Sequence, residues 1–364
     1  MTSRKRTFLA LNFEEPDRVP IDFWTSAGFR AKLMSALKTT EEAFLDSNDV
    51  DLRYIEGPAY VGPPLRKSAD ESEEDIWGVP RKVVTVHAGG AVERYKEVTR
   101  SPLAGATTPE EIHDYNHWPS PDWFDYGEIE AQCDRIRQQA RVVVFMGDRL
   151  NRIAQLKPAM YVRGTEEILL DMSLRPEIAR AVFSNIRKFY CAYAERIFEA
   201  ANRKLDILLT GDDFGAQNGP LLSKTMWEDF LGQGFADYVN IAKDYGVRVM
   251  HHTCGGVRPL IPLMVERGLD ILQSLQPEAA GMEPRDLKAE FGDRLAFQGG
   301  ISVQRTLPLG TPEDVRAEVR DRAEAFGPGG GYIFGTSHNI QVDTPIENVL
   351  ALLKAYKEYG PYAP

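Results

Sequence analysis

Short runs of apolar and β-branched residues alternate along the chain with longer stretches in which apolar residues recur at helical spacing. The short runs predict strands at 141–146 (RVVVFM), 207–210 (ILLT), 247–251 (VRVMH), 271–275 (ILQSL), 295–298 (LAFQ) and 332–335 (YIFG). The longer stretches predict helices, among them 225–244, 258–266, 312–326 and 345–359. Because strands that alternate with helices form parallel sheets, the pattern predicts an α/β fold.

Polar residues and glycines follow most of the predicted strands, which decides between an open sheet and a closed barrel. The first strands are not followed by G-x-G-x-x-G, so a dinucleotide-binding open sheet is disfavoured. A site assembled from the loops after many strands is typical of a (β/α)8 TIM barrel. We therefore predict such a barrel, with residues 1–364 as a single domain. Residues 60–130 are rich in proline and acidic residues and predict a loop-rich insertion or lid near the barrel mouth.

Charge and cysteine content narrow the class of function. The chain carries a net charge of −11, which disfavours nucleic acids and anionic membranes as partners. No apolar run approaches the roughly 20 residues that span a bilayer, and the N-terminus does not have the pattern of a signal peptide. Three widely spaced cysteines form no disulfide framework, so we expect a cytoplasmic protein.

The segment His252-Thr253-Cys254 follows a predicted strand and begins a glycine-rich turn. Residues two apart in an extended segment point to the same side, so the imidazole and the thiol can converge on one ion. Zinc accepts this mixture of nitrogen and sulfur ligands, and a catalytic zinc needs at least one further ligand from another strand end. The alternative is that Cys254 is a small buried residue and that His252 bonds to the backbone.

Two acidic residues close the strand before this one, and other polar residues stand at further strand ends. Asp212 and Asp213 are candidate catalytic residues for acid–base work, substrate binding or metal ligation; the alternative for either is a helix-capping aspartate. His338 follows the last predicted strand, whereas His251 is assigned to the barrel wall. The candidate substrate-binding residues are Asp148, Gln217, Gln298 and Asn339.

These segments resemble the uroporphyrinogen decarboxylase superfamily, and within it the branch related to zinc- and cobamide-dependent methyltransferases. The resemblance covers nearly the whole chain and rests on RKRTFLALNFEEPDRVPIDFW, YVRGTEEILLDMSLRPE, LLTGDDFGAQNGPLLSKTMWEDFL, MHHTCGGVRPLIPLMVERGLDILQSLQP and TSHNIQVDTPIENVLALLKAY. It implies a (β/α)8 barrel. A homodimer is common in the superfamily, and the oligomeric state stays open.

The resemblance also distinguishes two functions. Uroporphyrinogen decarboxylases carry an R-Q-A-G-R segment that binds the acidic tetrapyrrole, whereas this chain has PIDFWTSAGFRAK, in which only Arg30 approximates it. The zinc methyltransferases carry H-x-C and a distant cysteine. His252 and Cys254 match the first part, and His338 stands at the distant position. Imidazole can replace thiolate at zinc, so the resemblance implies a site of two histidines and one cysteine.

The leading hypothesis is therefore a methyltransferase that moves a methyl group between a small substrate (a methyl ether, amine or thiol) and a corrinoid (cobamide) cofactor presented by a partner corrinoid protein. Zinc would be held by His252, Cys254 and His338, with Asp213 as a fourth ligand or proton donor. The second hypothesis is metal-free decarboxylation of a tetrapyrrole, and the third is a barrel that binds a tetrapyrrole or corrinoid without turnover.

Overall fold

In the residues that the structure describes, the core of the protein is a parallel sheet of seven strands. The computed structural model describes residues 1–68, 71–147 and 152–362. We number the strands β1 to β7 in chain order: Leu52–Ile55, Val142–Phe145, Ile207–Gly211, Arg248–His252, Ile271–Gln273, Ala296–Ile301 and Tyr332–Thr336. Neighbours in the sheet are also neighbours in this numbering, and every pairing is parallel. This order is that of a barrel, as the sequence predicts.

An extended N-terminal segment lies between the last strand and the first. The backbone N–H of Asp22 donates to the carbonyl of Phe334 in β7 at 2.9 Å, and the N–H of Phe334 donates to Pro20 at 2.7 Å. On the other side, the N–H of Asp51 donates to the carbonyl of Ile21 at 2.9 Å. The segment around Ile21 thus connects the two edges of the sheet and closes the ring.

The barrel interior is apolar along the middle of the strands and polar at their carboxyl ends. Alternate strand residues form one buried cluster, which comprises Leu52, Val142, Val144, Ile207, Leu209, Met250, Ile271, Ala296 and Ile333 together with Leu11. Because side chains alternate along a strand, His252 points to the same side as Met250, Gln273 to the same side as Ile271, and Gln298 to the same side as Ala296. The ends of β4, β5 and β6 therefore bring polar side chains to the top of an apolar barrel.

Helices surround the sheet and bury a second, larger apolar cluster against its outer face. The α-helices are Ser3–Leu11, Ala27–Leu37, Glu41–Ser47, Pro109–His113, Ile129–Gln138, Leu156–Arg163, Thr165–Leu174, Pro176–Ala200, Lys224–Trp227, Gln233–Asp244, Ile261–Glu266, Pro284–Phe291, Thr306–Leu309, Pro312–Phe326 and Ile346–Tyr359. The helix predicted at 225–244 contains a π-helical segment at Glu228–Gly232. In the part of the chain that the structure describes, no helix is long and apolar enough to cross a membrane.

The insertion is more regular than the sequence analysis predicts. Residues Glu73–Glu74, Pro80–Ala88 and Ala91–Val98 form a three-stranded antiparallel sheet. Gly89 and Gly90 join the two long strands, and both have positive φ angles (54° and 72°), as a two-residue hairpin turn requires. The prediction of a loop-rich segment was wrong here, because polar residues between the valines conceal the alternation of an exposed hairpin.

Candidate functional site

Three predicted metal ligands converge at the carboxyl end of the barrel. His252 ends β4, Cys254 lies two residues beyond it, and His338 lies two residues beyond the end of β7. One nitrogen of each imidazole and the Cys254 Sγ atom all lie within 4.8 Å of one another. Two nitrogens and one sulfur at this separation match the donor set of a zinc site that keeps a position for substrate.

The orientation of His252 is fixed by a neighbouring strand. Its Nδ1 donates to Oε1 of Gln273 at 2.5 Å, and its Nε2 lies 3.5 Å from Cys254 Sγ. Burial, the cation of Arg152 and the imidazole of His338 lower the pKa of His252 well below its usual value. The ring is therefore neutral at neutral pH, with Nε2 free to bind a metal.

Cys254 is held by groups on two further strand ends. Its Sγ lies 3.3 Å from Ser274 Oγ, which donates to the carbonyl of Ser337 at 2.5 Å. Burial, followed by the charge of Asp213, raises the pKa of the Cys254 thiol to about 11. Without a cation the sulfur is therefore protonated at neutral pH.

The loop that carries Cys254 is glycine-rich for a steric reason. Gly255 has a φ angle of +82°, and a Cβ atom there would lie 2.5 Å from the backbone of Gly215 in the loop after β3. A Cβ on Gly215 would in turn lie 2.6 Å from the carbonyl of Cys254. The two loops pack backbone to backbone, which brings Asp213 close to Cys254.

Asp213 lies next to the three predicted ligands, His252, Cys254 and His338, and forms an ion pair with Lys157. Its Oδ1 lies 3.9 Å from His252 Nε2 and 3.4 Å from the backbone nitrogen of Cys254. Although burial acts in the opposite direction, the charge of Lys157 and the proximity of His252 hold the pKa of Asp213 below its usual value. The pKa of Lys157 is raised in spite of burial, chiefly by Asp213. A carboxylate and an ammonium group thus lie side by side next to the three predicted ligands.

Asp212 has different surroundings. Its carboxylate is buried and accepts the backbone N–H groups of Gln155, Leu156 and Lys157 at 2.6, 3.0 and 2.7 Å. These are the first groups of the helix Leu156–Arg163, so Asp212 acts as its cap from a distance in sequence. Burial raises the pKa of Asp212 to about 6, against the effect of the three N–H groups. The structure places Asp212 in the helix-capping position that the sequence analysis kept as its alternative.

A cavity of about 680 Å³ lies beside the rings of His252 and His338. Its wall includes His252, His338 and Asp213, as well as Lys157 and Arg152. Aromatic side chains supply much of the remaining wall: Trp24, Tyr95, Tyr161 and Tyr190. A concave, largely apolar space with a few convergent polar groups is the usual form of a substrate site.

The four predicted substrate-binding residues have different positions. Asn339 lines the cavity. Gln298 lies inside the barrel, where its Nε2 donates to Asp22 Oδ2 at 3.1 Å, and Gln217 is exposed and bonds to Gln304. Asp148 lies outside the described residues. Asn339 is thus the one of the three described residues that the structure brings to the cavity wall.

Several cavity residues were not found by sequence reasoning. Trp24 packs against the imidazoles of both predicted ligands, with ring centroids 5.7 Å from His252 and 5.4 Å from His338. The guanidinium carbon of Arg152 lies 5.6 Å from the centroid of the Trp24 ring. Gly211 makes room for it, because a Cβ there would lie 2.7 Å from Arg152 Cδ. These residues are far apart in the sequence, and no spacing motif connects them.

Two further residues that the sequence analysis named lie away from the cavity wall. His251 points away from the barrel interior and stacks on Phe214 with a centroid distance of 5.2 Å, so it belongs to the wall. Arg30 forms an ion pair with Glu41 at 3.1 Å and does not line the cavity. Among the described residues of the cavity wall, Arg152 and Lys157 carry positive charge.

Comparison with known proteins places the chain in a family. The model of the family "Uroporphyrinogen decarboxylase (URO-D)" matches residues 129–359, which is more than half of the chain. The chain belongs to the uroporphyrinogen decarboxylase (URO-D) family. Its relatives include members named as methyltransferases, as the resemblance in the sequence implies.

The similarity to individual relatives is distant. A uroporphyrinogen decarboxylase of Coxiella burnetii is 24% identical over 190 residues, which cover 51% of this chain and 49% of the relative. A methylated-thiol–coenzyme M methyltransferase of Methanosarcina mazei is 24% identical over 275 residues, 71% of this chain and 65% of the relative. The chain spans about half the length of the first curated relatives that it matches. A solved structure of a methyltransferase from Methanosarcina mazei covers 99% of both chains with a TM-score of 0.67 and 18% identity, which shows the shared fold.

Proposed function

We propose that this protein is a corrinoid-dependent methyltransferase in which zinc activates a small methyl-bearing substrate. The observation that carries the proposal is the convergence of His252, Cys254 and His338, whose donor atoms lie within 4.8 Å of one another. Both histidines also line the cavity. The similarity to a named methyltransferase over 71% of the chain supports the same reaction class.

The residues present fit a zinc ion. His252 is neutral and offers Nε2, because Gln273 holds Nδ1. Burial lowers the pKa of His338, so this ring is neutral as well. A zinc ion held by these two rings and the Cys254 thiolate would act as a Lewis acid on the heteroatom that carries the methyl group.

The other polar groups at the cavity base have separate tasks. Asp213 is ionised, so its carboxylate is suited to being a fourth ligand and less suited to donating a proton. Lys157 is protonated beside it and can donate a proton to the leaving heteroatom. Trp24 covers the two imidazoles and keeps bulk water from that side.

The proposed methyl transfer requires a partner protein that presents the methyl acceptor. A methyl group leaves the substrate only when a strong nucleophile accepts it, and we propose a reduced corrinoid on a partner protein for this role. The cavity opens at the carboxyl end of the barrel, where the strand-end loops leave access to its mouth. The single-domain organisation and a homodimeric state are part of the same proposal.

The test is methyl transfer with and without metal. Purified protein is incubated with a reduced free corrinoid and a panel of methyl ethers, thioethers and amines, and methylation of the corrinoid is followed by its absorbance. We expect transfer from at least one donor, loss of transfer after chelation and recovery with zinc. Transfer that survives complete metal removal would contradict the proposal.

A further inference from the structure

A second pocket lies at the opposite end of the barrel from the candidate site. Its volume is about 470 Å³, within the range of ~300–1,000 Å³ in which proteins bind small molecules. Its wall includes Ala140 and Arg141, which directly precede β2, and side chains from the helix Ser3–Leu11. The pocket therefore lies at the amino ends of the strands, whereas the predicted zinc ligands lie at the carboxyl ends.

The wall of this pocket is basic, and we call it the basic pocket. Its charged side chains are those of Arg4, Lys5, Arg137 and Arg141, and none of the described residues that line it is acidic. The chain as a whole carries a net charge of −11, so this cluster reverses the sign of the charge locally. Clustered charges of one sign around a concave surface attract ligands of the opposite sign. The basic pocket therefore favours anions.

Two of its guanidinium groups are held in place by one buried carboxylate. Arg4 Nε donates to Asp206 Oδ1 at 2.9 Å, and Arg137 Nη2 donates to the same oxygen at 3.1 Å. The other oxygen of Asp206 accepts the backbone N–H of Val143 at 3.0 Å, and this side chain is only 1% exposed. One carboxylate thus fixes two cations, and the three groups together keep a net positive charge.

Arg141 contributes less charge to the pocket, because acidic residues compensate it. Its Nη1 donates to Asp49 Oδ1 at 2.5 Å and to Ser3 Oγ at 2.9 Å. Its Nη2 lies 3.5 Å from a carboxylate oxygen of Asp46. The excess positive charge of the basic pocket therefore comes from the other three cations.

These three cations retain hydrogen-bond donors that a ligand can use. Contacts within the described chain occupy Nε of Arg4 and both Nε and Nη2 of Arg137. The two terminal nitrogens of Arg4 and Nη1 of Arg137 have no acceptor there, and the exposed Lys5 ammonium has no partner among the described residues. The side chains of Arg4 and Arg137 are 48% and 30% exposed, so a ligand can reach them.

We propose that the basic pocket binds the phosphate or diphosphate group of a small molecule through Arg4, Lys5 and Arg137. A phosphate group offers three acceptor oxygens and up to two negative charges at neutral pH, and arginine is its usual bidentate partner. A carboxylate has two oxygens and one charge, so it would leave more of these donors unpaired. Phe8, which also lines the pocket, offers an apolar contact for the rest of the molecule. This inference does not depend on the proposed methyl transfer.

The first experiment measures binding directly by calorimetric titration of the full chain. Pyrophosphate, ADP and adenosine are the probes, in a low-salt buffer free of divalent cations, which pyrophosphate would otherwise bind. We expect a single site for pyrophosphate and for ADP, weakened by added salt, and no binding of adenosine. Tighter binding of ADP would assign a nucleotide-like ligand with its base against Phe8, and equal binding would assign the phosphate groups alone. Absence of binding by both anions would overturn the proposal.

The second experiment locates the bound anion with Lys5→Gln, which removes one charge without breaking a contact within the chain. We expect the dissociation constant of pyrophosphate to rise by about fivefold to tenfold, and Lys5→Arg to restore most of the affinity. Lys82→Gln is the matched control, because Lys82 is exposed on the hairpin and the variant loses the same charge far from the pocket. It should leave the affinity unchanged.

Two results of the second experiment would contradict the proposal. An equal loss in Lys5→Gln and Lys82→Gln would mean that only the net charge of the chain attracts the anion. A loss of affinity in Lys157→Gln with none in Lys5→Gln would place the anion in the cavity beside His252 and His338 instead.

Discussion

His252 and Gln273 are joined by a hydrogen bond of 2.5 Å from Nδ1 to Oε1, between the last residues of two adjacent strands. The bond selects the tautomer that leaves Nε2 for a metal and fixes the angle of the ring. In other proteins, the loss of a hydrogen bond to a metal-binding histidine changes metal affinity by about 10–100-fold. The sequence analysis did not assign Gln273, because nothing in its spacing shows that it pairs with His252.

Replacement of Gln273 should weaken zinc binding without removing it. Gln273→Leu deletes the acceptor and frees the ring to change tautomer, so we expect the zinc dissociation constant to rise by about 10–100-fold. Gln273→Glu retains an acceptor and should bind zinc at least as tightly as the wild type. Competition with a chromophoric chelator measures the zinc dissociation constants of both variants. Gln138→Leu, on the exposed face of a helix, is the control and should bind zinc as the wild type does. Equal affinity in Gln273→Leu and the wild type would show that the bond does not tune the site.

The neighbours Asp212 and Asp213 should have opposite mutant phenotypes. Asp212→Ala leaves three backbone N–H groups without their acceptor, so we expect the free energy of unfolding to fall by about 1–3 kcal/mol. Zinc content at low temperature should stay close to that of the wild type.

Asp213→Ala should lower zinc affinity and methyl transfer with little effect on stability, because its carboxylate is partly exposed to the cavity. Denaturant unfolding and zinc content measured on both variants test the contrast. A stable Asp212→Ala protein that has lost activity would contradict the capping role.

Zinc affinity should rise with pH in a defined way. The pKa values of His252 and His338 lie below their usual value, so both rings are already deprotonated at neutral pH. The Cys254 thiol has a pKa of about 11 and stays protonated until a metal displaces its proton. Between about pH 7 and pH 9, binding should therefore release about one proton, and log K should rise by about one per pH unit.

Isothermal titration calorimetry in buffers of different ionisation enthalpy counts this proton. Cys254→Ser serves as comparison, because a hydroxyl ligand changes the proton count along with the affinity. A wild-type affinity independent of pH across this range would mean that Cys254 is not a ligand.

Uroporphyrinogen should not be a substrate. A tetrapyrrole with many carboxylates needs several cations, whereas the described cavity wall carries Arg152 and Lys157, and Lys157 is already paired with Asp213. We expect no decarboxylation above the rate without enzyme, measured by product chromatography after anaerobic incubation. Product that increases in proportion to enzyme concentration would favour the decarboxylase hypothesis.

The sequence predicted the parts of the fold that are locally encoded. Strands β2, β3 and β7 are continuous apolar runs, since both of their faces are buried, and they lie where the pattern placed them. Strand β1 was not predicted, because Arg53 interrupts its short apolar run; the charge is compensated by Asp46 at 2.8 Å. A tertiary ion pair of this kind is not visible in the local pattern.

The residues of the candidate site could likewise be predicted from the sequence only in part. His252 and Cys254 could be found from their spacing at one strand end, and His338 from the resemblance of its surroundings to a family pattern. Trp24 and Arg152 could not, since the closing of the barrel brings them to the cavity from distant parts of the chain. Sequence spacing also could not distinguish Asp212 from Asp213, because adjacent residues share one pattern and differ only in the side to which they point.

Zinc content tests the central claim most directly. Wild-type protein, Cys254→Ala and His338→Ala are supplied with excess zinc at neutral pH, freed of loosely bound metal and analysed by mass spectrometry of the element. The account predicts about one zinc per wild-type chain, and loss of zinc in both variants while their circular dichroism stays that of the folded barrel. His338→Cys should retain the metal, because thiolate is an equally good ligand. Wild-type protein that keeps no zinc under these conditions would contradict the account.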